Sequence, residues 1–247
     1  MMNKSGLSIL EFLEEFARKY TRIAFRSDYP EMLRDLNVSQ AECIYVLDFA
    51  LNKMTFAKGF YSFLGYDQET LTLESYLQHI HPDDIDLVGR IGAATINHSH
   101  KNPNNNKDNV LYISFRIKNA KGHYIKVLSQ SSVFEIDQKG NMISALVKVS
   151  DLSFLEEEKV VRYKFVAENL DQEAFKKEIF GDKTDLFTER ELDIIREIDK
   201  GSTNVEMAEI LGISKHTVAT HRKKIMKKSA CRSAGELLNF CRSNGVL

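Results

Sequence analysis

Lys215 to Lys228 reads KHTVATHRKKIMKK and concentrates the clearest chemistry in the chain. Six of these residues are Lys or Arg (Lys215, Arg222, Lys223, Lys224, Lys227, Lys228) and none is Asp or Glu, in a 247-residue chain with a formal net charge of only −1. Cations at that density neutralise phosphates. At about 3.6 residues per turn, Val218 and Ile225 fall toward one side of a helix with Met226 or His221 beside them. Thr220, Lys223, Lys224 and Lys227 fall elsewhere. One stripe would hold the helix down while the other stays available to a polyanion. A merely solvated basic face has the same pattern in isolation, so the flanking residues decide.

The other reactive residues lack company. Cys43, Cys231 and Cys241 are an odd number without metal-ligand spacing, which suits reduced thiols in a cytoplasmic protein. His79 and His81 lie near an expected helix start that could face a cavity, where a haem iron would take an axial ligand. His81, however, reads more simply as a helix-start residue beside Pro82, and His98 and His100 fall in a polar run. No metal-site partners accompany them. There is no Gly-rich phosphate loop, and no nucleophile–base pair can be argued. The chain is expected to be no enzyme, with no metal site and no assigned cofactor.

Composition agrees with a globular chain of two domains plus linkers: 43% hydrophobic and 28% charged. No stretch approaches the roughly 20 apolar residues of a membrane span. The first residues, MMNKSG, lead into an acid-containing segment rather than an apolar secretory core.

The elements that must position the basic stretch are announced by their caps. Thr188–Glu191, Thr203–Glu206 and Ser233–Glu236 are capping boxes, and Ser214 stands where an N-cap is wanted just before Lys215. Gly212, in Leu211-Gly212-Ile213, supplies the left-handed turn that ends a helix. Four short helices follow, two of them joined by a tight Gly-containing turn with the second one basic. That is the helix-turn-helix arrangement, whose second helix enters the DNA major groove.

On these residues the stretch 186–247 resembles the LuxR-type (NarL/FixJ-type) DNA-binding domain. The matching segments are Leu186–Glu191, Gly201–Ala208, Leu211–Ser214, Thr217-Val218, His221, Lys227-Lys228 and Ser233. The resemblance implies base reading by Ala219, Thr220 and Lys223. It casts Lys215, Thr217, His221, Lys224 and Lys227 as contacts that position the domain on the phosphates. Two departures keep base preference open. Ala219 stands where the family often has Lys and offers only a methyl group, suited to thymine. Ala234 replaces a common Arg. Residues 186–247 hold 11 Lys/Arg against 8 Asp/Glu, while the rest of the chain holds 23 against 27. So modest an excess suits a domain that needs a partner protomer, implying a homodimer on an inverted-repeat operator in double-stranded DNA.

Upstream the period changes. Ile44–Phe49 and Met54–Ala57 read as strands joined by a turn, and Tyr61–Tyr66 as a short helix closed by Gly65. A further helix begins at His81-Pro82-Asp83-Asp84. Residues 98–109, HSHKNPNNNKDN, read as a polar loop. Strands follow over 111–117, 124–136 and 142–149, alternating as an antiparallel sheet with one buried face does. Residues 40–153 thereby resemble a PAS domain, on Phe63–Tyr66, the run 81–84, the Lys121-Gly122 hairpin and Asp151-Leu152-Ser153. Such domains hold haem, flavin or metabolites between sheet and helices. The flavin-adduct type has an Asn-Cys-Arg-Phe run, which is absent. An aromatic set of Tyr45, Phe56, Phe60, Phe63 and Phe115 serves either as plain core or as a ligand lining. The meander argues against a phosphoacceptor receiver domain.

The expected fold is α+β: a PAS-like five-stranded antiparallel sheet with flanking helices, then an all-α four-helix domain. The expected organisation is a helical segment at 1–39, with an amphipathic helix over 8–20 and a short one around 29–36. The PAS-like domain spans 40–153, a helical linker 154–185 with Leu155–Asn169 as a helix leaving the sheet, and the DNA-binding domain 186–247. The function implied is a cytoplasmic, dimeric transcriptional regulator whose PAS-like part answers a small molecule or a protein. The alternative is an assembly protein with constitutive DNA binding and no small-molecule signal. Charge alone suggests that the basic helix could pair with Glu156–Glu158 in a closed form.

Overall fold

The computed structural model describes residues 31–103, 108–155, 161–181, 186–229, 231–243 and 245–247, together with 11, 13 and 14. The amphipathic helix expected over 8–20 falls largely outside these residues, and Glu156–Glu158 falls wholly outside them. Residues 11, 13 and 14 are helical, and Leu13 is buried against Phe49, Leu73 and Ile96. Two compact units form, Met1–Asp171 and Gln172–Leu247.

The first unit runs α1 (Glu31–Asp35), β1 (Glu42–Asp48), β2 (Lys53–Lys58), α2 (Phe60–Leu64), α3 (Leu73–Gln78) and α4 (Pro82–Lys101). It continues through β3 (Val110–Lys118), β4 (Tyr124–Ile136), β5 (Met142–Asp151) and β6 (Arg162–Val166). All neighbouring strands are antiparallel, in the order β2-β1-β5-β4-β3-β6. The two long hairpins share one turn chemistry. Asn119 Oδ1 accepts the amides of Lys121 and His123 at 3.1 and 3.0 Å, and Asp137 Oδ1 those of Lys139 and Asn141, each at 2.8 Å. Such side-chain acceptance fixes the register of each hairpin.

At α2 the entry is forced by Gly59. Its φ is +87°, and an added Cβ would stand 2.6 Å from the Glu42 carbonyl oxygen, so only glycine lets the helix start against β1. Helices α2–α4 then bury Phe60, Leu64, Tyr76, Leu87 and Ile91.

Two expectations need correction. The sheet has six strands, not five, because residues 162–166 form an edge strand instead of continuing a helix. Tyr163 and Phe165 alternate with Arg162, Lys164 and Val166, a period of two; Phe165 is buried, while the three alternate residues are exposed. The polar run at 98–109 likewise begins as helix, since α4 continues to Lys101 with Ser99 buried. His98, His100 and Lys101 sit in its last turn, where positive charge favours the negative end of the helix.

The outer edge of β3 is closed by two different partners. β6 covers Val110–Ser114, and residues 79–81 cover the rest: the His81 amide donates to the Arg116 carbonyl (2.9 Å) and the Lys118 amide to that of His79 (2.8 Å). Asp84, in the first turn of α4, completes this junction. Its carboxylate is 2% exposed and accepts the Arg116 backbone N–H at 2.8 Å and the guanidinium at 2.5 and 3.1 Å. Breaking a buried pair leaves the other charge stranded. Asp84→Ala is therefore expected to lower stability by about 3 kcal/mol or more, read as a lower urea midpoint for loss of the sheet signal in circular dichroism.

Candidate nucleic-acid interface

The second unit contains α5 (Gln172–Phe180), α6 (Glu189–Asp199), α7 (Asn204–Leu211), α8 (Lys215–Ser229) and α9 (Ala234–Ser243). Each of the last four opens on the expected cap. Thr188 accepts from the Glu191 amide at 3.3 Å and Thr203 from that of Glu206 at 3.4 Å, each closing a reciprocal box. Ser214 accepts from the Thr217 amide at 3.0 Å and Ser233 from that of Glu236 at 3.1 Å. Gly212, at φ 64° and ψ 36°, ends α7, and the Ile213 amide bonds back to the Ala208 carbonyl at 3.0 Å. This glycine-closed turn sets the direction in which α8 leaves.

α8 is held on one side only. Val218 and Ile225 are completely buried, packing with Ile194, Ile195, Met207 and Leu237. The opposite side carries Ala219, Thr220, Lys223, Lys224 and Lys227, all exposed, and Lys215 is exposed in the first turn. Thr217 and His221 are half-buried. The Thr217 hydroxyl is 2.9 Å from that of Ser214 and so belongs to the cap. The Thr220 hydroxyl donates to the His216 carbonyl at 3.0 Å, which leaves its oxygen able to accept a further hydrogen bond. Nδ1 of His221 is buried and has no hydrogen-bond partner among the described residues.

The six cations of α8 divide by partner. Lys228 Nζ lies 2.6 Å from Glu191 Oε2, and Arg222 Nη1 donates to Asn204 Oδ1 at 3.1 Å. These two fasten α8 to the start of α6 and of α7. Lys215, Lys223, Lys224 and Lys227 form no ion pair among the described residues. Burial pushes the Glu191 carboxyl up, but hydrogen bonds from Lys228 and the Thr188 amide outweigh it and hold the group below its ordinary value. Arg190 adds a further tie, donating to the Leu211 carbonyl at the end of α7.

Sequence reasoning singled out the outward face but missed the residues that fasten it. Glu191 carries a signal as the last residue of a capping box, yet nothing in its type shows that it also receives Lys228 from the far end of α8. The histidines weighed for haem serve other ends. His81 caps α4, its Nδ1 accepting the Asp83 amide at 3.2 Å, and His79 stacks on Tyr66 with ring centroids 4.2 Å apart. Among the described residues no group of three His, Cys, Asp or Glu could hold a metal, and no helix is long and apolar enough to cross a membrane.

With this geometry, comparison with known proteins gives the class of each unit. Residues 185–240 match the family of bacterial regulatory proteins of the luxR family, and residues 53–147 match the PAS fold. The C-terminal unit thus carries a LuxR-type helix-turn-helix domain, and the N-terminal unit a PAS domain.

Among curated relatives, the nitrate/nitrite response regulator protein NarP of Escherichia coli K12 is 37% identical over 73 residues, covering 28% of this chain and 34% of NarP. The transcriptional regulatory protein TdiR of Thauera aromatica is 40% identical over 53 residues, 22% of this chain and 23% of TdiR. The chain thus spans about a third or less of the length of these relatives. Among solved structures, the N-terminal domain of a diguanylate cyclase with PAS/PAC sensor from Marinobacter aquaeolei is 17% identical. It covers 46% of this chain and 96% of its own, with a TM-score of 0.36.

The depressed Glu191 carboxyl predicts a pH signature. Its contribution to stability is present above the unfolded value near 4.5 and is lost as pH falls below it. The stability gap between the wild type and Glu191→Gln, measured by urea unfolding, should narrow from about pH 6 to about pH 3.

Proposed function

We propose that this protein is a sequence-specific DNA-binding transcriptional regulator in which the exposed face of α8 enters the major groove of its operator. The observation that carries this reading is the division within α8: two cations fasten the helix, and four, on its exposed surface, have no ion-pair partner among the described residues. A helix built only for solubility needs no such fastening. Ala219, Thr220 and Lys223 read base edges, with the Ala219 methyl suited to thymine and Lys223 to guanine. Lys215, Lys224 and Lys227, with Thr217 and His221 at the edge of the face, hold the phosphates.

So few phosphate contacts bind weakly in a monomer and fade as salt rises. We therefore infer a homodimer on an inverted repeat, which doubles the contacts. The organisation proposed is a helical segment at 1–39, the PAS domain at 40–153, a connecting segment at 154–185 and the DNA-binding domain at 186–247. The PAS domain senses a small molecule or a partner and controls DNA binding from the cytoplasm. The largely apolar cavity against its sheet favours a small molecule over assembly alone.

Genomic fragments pulled down by the full-length protein at two salt concentrations and sequenced should yield a short inverted repeat that survives the higher salt. On that repeat, Lys223→Ala should weaken binding about tenfold and relax preference at one base pair. Lys227→Ala should weaken all sequences alike and reduce the salt slope by about one. Unchanged affinity in both Lys223→Ala and Thr220→Ala would overturn the assignment of the reading face.

A further inference from the structure

Between the sheet and α3–α4 the N-terminal unit holds a cavity of about 140 Å³ that is partly open to the surface. Of the five aromatic residues that the sequence offered as a lining, Tyr45 and Phe115 border it and Phe56, Phe60 and Phe63 do not. Leu73, Ile113, Val147 and Phe165 supply much of the apolar wall.

Three properties restrict what fits. The first is size: an apolar cavity of about 150 Å³ accepts benzene, so this one takes about one ring with small substituents. The second is charge. Among the described residues no Asp, Glu, Lys, Arg or His borders the space, so an ionised ligand would lose its hydration with no counter-ion to replace it. The third is polarity. Tyr76 is 2% exposed and borders the cavity, yet its hydroxyl makes no hydrogen bond of ordinary geometry among the described residues. Its ring lies 5.4 Å from that of Tyr45, and the two hydroxyls share at most a weak hydrogen bond outside ordinary geometry. By contrast, the Thr95 hydroxyl on the same wall is committed to the Ile91 carbonyl at 2.9 Å. A buried hydroxyl left unpaired costs stability unless something else meets it. Burial also pushes the Tyr76 phenol well above its ordinary value, so it stays a neutral donor at any physiological pH.

We propose that this cavity binds a small neutral molecule of about one ring, largely apolar, with a hydrogen-bonding group that meets the Tyr76 hydroxyl. The inference rests on the sensing role proposed above and narrows it to a chemical class. Carboxylates, phosphates and amines protonated at neutral pH are disfavoured for want of a counter-ion, and haem or flavin exceeds the volume. Ring hydroxyls, ring nitrogens and carbonyls suit it. Tyr76 is a binding residue whose loss discriminates between polar and apolar rings.

The test uses the full-length protein and three single-ring probes: phenol, toluene and benzoate. Isothermal titration should show phenol and toluene binding and benzoate failing to bind. Tyr76→Phe removes an oxygen that makes no hydrogen bond of ordinary geometry among the described residues and should fold about as stably as the wild type. It should weaken phenol about three- to tenfold while leaving toluene unchanged. Ser131→Leu, which fills the cavity from β4, should abolish binding of both rings. Benzoate binding as tightly as phenol, phenol unaffected by Tyr76→Phe, or no ring binding at all would each overturn the proposal. DNA affinity measured with and without saturating phenol keeps the two readings apart. Ring binding with no effect on DNA retains the ligand class and removes its control of the operator.

Discussion

A buried carboxylate in the first turn of one helix, closed by a cation from the last turn of another, is the contact on which the DNA-binding unit depends. Glu191 is 3% exposed and meets Lys228 at 2.6 Å while also accepting the Thr188 amide at 2.9 Å. The same oxygen therefore helps to start α6 and to fix the far end of α8. The near end is fixed independently by the Gly212 turn, and the middle by Arg222 on Asn204. Held at both ends, with Val218 and Ile225 buried between, α8 has one rotation about its axis. That rotation decides which side chains face outward, and hence which can read a base.

The PAS unit repeats the device with other residues. Asp84 also stands in the first turn of a helix, where the macrodipole favours a negative charge, and it too reaches across to a neighbouring element. Its partners are the backbone and guanidinium of Arg116, and with residues 79–81 it closes the part of the β3 edge that β6 leaves open. In both units one acid does local and long-range work, tying helix initiation to tertiary packing. The bond is expensive to break because the acid is buried.

The fold was legible where the signal is local. Four capping residues announced four helices, since Ser, Thr and a Glu three positions on satisfy the amides of a first turn wherever they occur. Asn119 and Asp137 act in an equally local way, each accepting the amides of residues just after it in a hairpin turn. Illegibility began where burial depended on a distant partner. Residues 162–166 alternate over too short a span to reveal an edge strand until the free edge of β3 is known. His98 and His100 seemed loop residues because polar composition hides a helix end that favours positive charge. At the basic helix, sequence named the outward side chains but did not separate Lys228 and Arg222, the two that fasten, from the four without an ion-pair partner among the described residues. That distinction rests on Glu191 and Asn204, which reach α8 from elsewhere in the chain.

β6 gives the PAS unit an unusual closing stroke. Phe165 borders the internal cavity, and only five residues separate the end of this strand, at Val166, from the start of α5 at Gln172. One short strand is therefore both wall and exit. A strand paired in a ladder moves in whole steps, because slipping by one residue would turn Phe165 outward and Lys164 into the cavity. A residue on β6 therefore changes face only when the whole strand does, so this part of the cavity wall is set by register and not by single rotamers.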